Sequence, residues 1–105
     1  MKILLVAKES KQSSALMEFL AGCVPSVEHV QTIAQALRFS ICYNGQSELV
    51  VVIVDDSAND FSLHGGKQFA EDLRATLPHR VKIITLSDEE NAADWGDENL
   101  QKPKG

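Results

Sequence analysis

Two adjacent carboxylates, Asp55 and Asp56, follow directly on six consecutive aliphatic residues, Leu49 to Val54. A run of that kind, mostly β-branched, predicts a central strand of a parallel sheet, and its abrupt polar end places both acids at the strand's carboxyl edge. Two further apolar runs and one weak edge strand are followed by chemistry-bearing residues. Ile3 to Val6 is followed by Ala7, Lys8 and Glu9, Val81 to Leu86 by Ser87 and Asp88, and a weak edge strand over 98–101 by Lys102. In open α/β sheets functional groups gather at the carboxyl ends of the strands. A carboxylate, a hydroxyl and an ammonium converging there suit phosphoryl transfer, the carboxylate as nucleophile and the other two holding phosphoryl oxygens. Asp55 is the expected phosphoacceptor position; Asp56 takes its place if the strand runs one residue further.

The elements between these strands read as helices. Ser10 is a candidate N-cap, and Leu16, Phe19, Leu20 and Cys23 repeat at helical spacing up to Gly22 and Pro25. A short strand, Val27 to Val30, precedes the capping-box pair Thr32 and Gln35, which opens a second helix with Ala34, Leu37 and Ile41 on its apolar face and Asn44-Gly45 as its stop. A polar loop, 57–66, leads to a third helix carrying Phe69, Leu73 and Leu77, with Pro78 beyond it. A single helical turn is expected over Asn91 to Trp95. The order βαβαβαβ with helical crossovers predicts one three-layer α/β/α domain over residues 1–105, a parallel sheet with helices on both faces.

Composition narrows the function. Hydrophobic residues at 44% and charged residues at 24% describe an ordinary globular chain, which excludes disorder and coiled coil. The net charge of −5 and the lack of a basic stripe argue against direct nucleic-acid binding. No apolar run approaches the ~20 residues of a membrane span, and no signal-peptide layout opens the chain, so a cytoplasmic location is expected. Cys23 and Cys42 show no ligand spacing and are expected as small core residues. His29, His64 and His79 are expected at the surface, with His64, just before Gly65-Gly66, as the one that could face the pocket. The acids Asp88, Glu89, Glu90, Asp94, Asp97 and Glu98 read as a solvated loop, and Trp95 within it as either a cap or an exposed contact residue.

These strand-end residues resemble the receiver domain of bacterial two-component response regulators over Met1 to Pro103. In that family the third strand ends in the phosphorylated Asp, where Asp55 stands. The fourth ends in Ser or Thr, matched by Ser87 in "IITLS", and a Lys-Pro pair follows the fifth, matched by Lys102-Pro103. The resemblance implies a CheY/flavodoxin-like parallel sheet in strand order 2-1-3-4-5 and a pocket of Asp55, Ser87, Lys102, Lys8 and Glu9. Three departures stand beside it. The acid pair that binds magnesium after the first strand is replaced by Ala7-Lys8 within "VAKE", leaving only Glu9 acidic, so magnesium binding is expected to be weak and no cofactor is implied. Lys8 is expected to pair with Asp55 where the metal would sit. The loop "DSANDFSLHGG" lacks the family's Met-Pro and Asp-Gly pattern, and the fourth helix is reduced with no fifth helix after it.

The expected function is therefore an atypical, pseudo-receiver signalling module acting by protein–protein contact, not an enzyme, with phosphorylation at Asp55 weak or absent. Its expected partner is another protein or a second copy of the chain, docked on the face left uncovered by the missing fifth helix. The alternatives are a conventional phosphoacceptor receiver of a phosphorelay and a phosphoryl carrier resembling sugar-phosphotransferase IIB subunits, in which Ala7 would stand in place of the required Cys. A flavodoxin-like flavin binder is a further alternative, although "AKES" offers no glycine-rich phosphate cradle.

Overall fold

Eight elements form along the chain: β1 (Lys2–Val6), α1 (Lys11–Cys23), β2 (Val27–Val30), α2 (Ile33–Ile41), β3 (Val50–Asp55), α3 (Lys67–Thr76), β4 (Val81–Ser87) and β5 (Glu98–Gln101). The structure is a computed structural model, and residues 1–43, 48–78, 80–88 and 92–102 are described. The expected stop of the second helix at Asn44-Gly45 and His79 fall outside these residues. The five strands make one parallel sheet in the order β2-β1-β3-β4-β5, a single-domain α/β fold of flavodoxin-like topology. No helix is long and apolar enough to cross a membrane among the described residues.

Strand alternation divides the core in two. On one face Leu4, Val6, Val50, Val52, Val54 and Ile83 pack against Ala36 of α2 and Phe69, Ala70 and Leu73 of α3. On the other, Ile3 and Val51 pack beneath Leu20 of α1 and Val24, with Leu16, Val27, Ile53 and Ile84 partly covered around them. The helix starts obey the capping signals. Ser10 and Thr32 each accept from the backbone N–H three residues on, and Ser13 and Gln35 reciprocate.

The helix faces differ from those expected. Cys23 and Cys42 are exposed free thiols, not core residues, and Phe19, Ala34 and Ile41 also face outward. The inward rows are Ser13, Leu16, Leu20 and Val24 for α1, and Ile33, Ala36, Leu37 and Ser40 for α2. Both rows contain a serine whose hydroxyl is satisfied locally. Ser13 Oγ donates to the Ser10 carbonyl, and Ser40 Oγ to the Leu37 carbonyl. A small, internally bonded hydroxyl tolerates burial that its polarity would otherwise forbid, so the apolar residues alone misplace the helix rotation.

No helical turn forms over residues 92–95; the chain there is held by side chains instead. Trp95 is only 5% exposed, contacts Phe61 and Phe69 ring to ring, and donates from Nε1 to the Ser62 carbonyl at 2.7 Å. It is the cap of the two roles open to it. Its ring lies against Gly66 at the start of α3, where any Cβ would overlap it. Asp97 then seats β5: its N–H donates to the Ile83 carbonyl, its Oδ2 accepts from the Ile83 N–H, and its Oδ1 pairs with Arg74. One carboxylate thus completes the β4 ladder just before β5 begins.

Candidate functional site

The parallel sheet brings the strand ends together. Asp55 is the last residue of β3 and Ser87 the last of β4, while Ala7 and Lys102 follow β1 and β5 directly. Backbone bonds fix their levels: Asp56 N–H donates to the Leu86 carbonyl and Lys102 N–H to the Ser87 carbonyl. With this register Asp55 and Lys102 share the α1 side of the sheet, two strands apart.

Lys102 is the centre of the cluster. Its Nζ lies 2.8 Å from Asp55 Oδ1 and also donates to Asp56 Oδ1. Asp55 Oδ1 accepts in addition from the Ser57 N–H at 2.8 Å, an Asx turn closed by the strand-end acid itself. Asp56 Oδ2 accepts from the Asp88 N–H at 2.8 Å, so Asp56 ties the β3 end to the β4 end. Ser57 Oγ accepts from the Lys8 N–H at 3.0 Å, adding the β1 end to the same network.

Burial pushes the Asp55 carboxyl upward, but hydrogen bonds from Lys102 and Ser57 and the Lys102 charge outweigh it and hold the group below its usual value. Burial likewise pulls Lys102 downward, and the bonds and charges of Asp55 and Asp56 reverse the effect and hold the ammonium above its usual value. Two carboxylates and one ammonium leave a local charge of −1.

Of the expected pocket residues, Asp55, Asp56 and Lys102 are in direct contact, and Ser87 is buried at the same edge. Lys8 and Glu9 are exposed, and among the described residues neither pairs with Asp55; the expected Lys8–Asp55 pair is replaced by Lys102. The physical reason is reach within the register: Lys102 enters from the strand edge on Asp55's own side of the sheet, whereas Lys8 lies beyond β1 with its backbone turned toward Ser57. His64 pairs with Asp94, away from Asp55. His29 Nε2 lies 2.8 Å from the Ala7 carbonyl.

Two contributors carried little signal in the sequence. Ser57 follows Asp55 by two residues, the spacing of an Asx turn, and that is the one clue to it. Asp60 accepts from the Ile33 N–H at 2.7 Å and the Ala34 N–H at 3.1 Å, holding the loop after β3 against the start of α2. Nothing local in the sequence announces that contact across the sheet.

Below the cluster, a groove of about 510 Å³ opens between α1 and the ends of β3, β4 and β5. The fold and the site thus define a flavodoxin-like α/β domain with a carboxylate–ammonium cluster at its carboxyl edge and an adjoining groove. In comparisons with known proteins, the chain finds no match among family models, curated proteins or solved structures.

Proposed function

We propose that this chain is a receiver-like signalling module that works by protein–protein contact, with phosphorylation at Asp55 weak or absent. The observation that carries the reading is the Lys102 ammonium engaged with Asp55 and Asp56 together, in a chain whose first strand is followed by Ala7 and Lys8. Transfer of a phosphoryl group to a carboxylate brings two anions together and requires cationic charge on the phosphoryl oxygens. Lys102 is already shared between two carboxylates and leaves the site at −1. Ala7 provides no ligand and Lys8 is a cation, so the residues present do not suit a magnesium ion bridging carboxylate and phosphoryl oxygens. The same bonds join the β3, β4 and β5 ends without a phosphoryl group. The site then acts as a fixed structural lock and the output is contact.

Intact mass after incubation with acetyl phosphate and magnesium tests this, with Asp55→Asn and Asp56→Asn alongside. The expected outcome is no phosphoryl gain under conditions that label an ordinary receiver. A gain abolished only by Asp55→Asn makes the chain a conventional phosphoacceptor and overturns the reading.

A further inference from the structure

On the α1 side of the sheet, the apolar surface is covered unevenly. Leu20 of α1 and the adjoining Val24 sit over Ile3 and Val51, whereas Ile53 and Ile84 are partly buried and Leu100 is 47% exposed. The outer flank of α1 continues this surface. Gln12, Leu16, Phe19 and Cys23 fall in one row at helical spacing, and Phe19 is 68% exposed. Sheet floor and helix wall together form the groove, lined by Leu16, Leu86 and Leu100 on its apolar side and by Asp55, Ser57 and Lys102 at its polar end. Contiguous apolar surface with a polar rim marks an interaction site.

We propose that the groove docks an amphipathic helix of a partner protein, apolar along one face and carrying a Lys or Arg at the end that meets Asp55. The proposal rests on the contact-module reading and names the partner's chemistry. Charge selects the occupant. Asp55 accepts from Lys102 and from Ser57, by backbone and side chain, which leaves part of a carboxylate's acceptor capacity open. That carboxylate is only 16% exposed, so water satisfies it poorly and a cationic donor entering from the groove gains a charge-assisted bond. The cluster's −1 favours a cation and repels an anion. A second copy fits less well, because it brings its own net −5 against the first.

The probe is a phage-displayed library of random helical peptides of about 14 residues, selected on the wild-type chain and counter-selected on Leu100→Glu. The winning peptide is then measured by fluorescence anisotropy. The expected winners place apolar residues at i, i+3 or i+4 and i+7 with a Lys or Arg near one end. Binding is expected to weaken about tenfold or more on Leu100→Glu, roughly three- to tenfold on Asp55→Asn, and to tighten at low salt. Leu100 is half exposed, so the variant is expected to fold, with Leu100→Ser as the substitute if its melting curve shows otherwise. No enrichment against the Leu100 variant, acidic winners, or full affinity for Asp55→Asn overturns the proposal. A wild-type dimer in sedimentation that Leu100→Glu dissociates assigns the groove to a second copy and overturns it as well. All arms use unphosphorylated protein, so phosphoryl labelling of Asp55 would refute the contact-module reading while the peptide result stands or falls separately.

Discussion

Replacing Lys102 with Met keeps the side chain's length and apolar stem and removes its charge, which isolates what the ammonium does. It engages two carboxylates at a site where the Lys102 and Asp55 side chains are 33% and 16% exposed. Opposite charges 2.8 Å apart attract by roughly 6 kcal/mol at an effective dielectric near 20, before desolvation is subtracted. Exposed pairs retain about 0.2–1 kcal/mol of that, and breaking a fully buried pair costs about 3–5. A half-buried ammonium shared by two acids falls between, at about 2 kcal/mol, a fall of about 10 °C in Tm for a domain of this size. The pH dependence identifies the cause. Asp55 is held below its usual value, so its contribution is present above about pH 4 and is lost as pH falls through the lowered value. Lys102 is held above its usual value, so its contribution is fully present below about pH 10.4 and is lost as pH rises through the raised one. Urea melts followed by circular dichroism are therefore expected to show the full Lys102→Met penalty near about pH 7 and a shrinking one below about pH 4. An equal penalty at both ends would mean that packing of the lysine stem, and not charge, holds the strand ends.

Gly66→Ala is expected to destabilise the wild-type chain by about 1–3 kcal/mol, because its methyl overlaps the Trp95 ring, yet to cost almost nothing in a Trp95→Ala background. A double-mutant cycle by thermal melting measures this, and equal costs in both backgrounds would refute the contact. Asp60→Ala removes the acceptor of two α2 N–H groups and is expected to cost about 1–2 kcal/mol. Hydrogen exchange at Ile33 and Ala34 should rise with it, and unchanged exchange there would assign the cap elsewhere.

The sheet was legible because its strands are short runs whose composition has one physical solution. Leu49 to Val54 is too apolar and too β-branched to sit anywhere but the middle of a parallel sheet, and β3 forms there with its last residue at Asp55. The N-cap Ser10 and the capping pair Thr32–Gln35 set the helix starts to the residue. Helix rotation was less legible. Leu16, Phe19, Leu20 and Cys23 do fall at helical spacing, but α1 turns Ser13 inward and Phe19 outward, because one flank of the helix has no sheet-covering neighbour beyond it. A pattern of apolar residues cannot separate a buried face from a face waiting to be covered.

The site was legible in its members and not in its pairing. Asp55, Asp56 and Lys102 follow their strands in sequence, and strand order alone brings them to one edge. Which ammonium reaches the carboxylates depends on side-chain reach and sheet face. Lys102 lies two residues past Leu100 on the same face as Asp55, a relation that exists only once the register Asp55–Leu86 and Ser87–Gln101 is fixed. The contacts of Trp95 and Asp97 were not legible for a similar reason. Their partners Ser62, Gly66, Arg74 and Ile83 lie in other elements, and no local rule links them.

That register also ties the lock to the groove. Leu100 forms part of the groove's apolar side and Lys102 closes the carboxylate cluster, on one face of one four-residue edge strand. Among the described residues, β5 is paired along its length with β4 alone, held at its start by the Asp97 bonds to Ile83 and at its end by the Lys102 bonds to Asp55 and Asp56. A strand so short cannot shift at one end and stay in place at the other. Anything that displaces the backbone at Lys102 therefore bears on Leu100, and anything that fills the groove bears on the position of Lys102. Linkage makes the effect reciprocal: a helix that binds better when Lys102 is seated must seat it more firmly on binding. On the contact-module proposal, the carboxylate pair acts on a partner through the strand it anchors, and a fixed ammonium takes the place of a reversible modification at this edge.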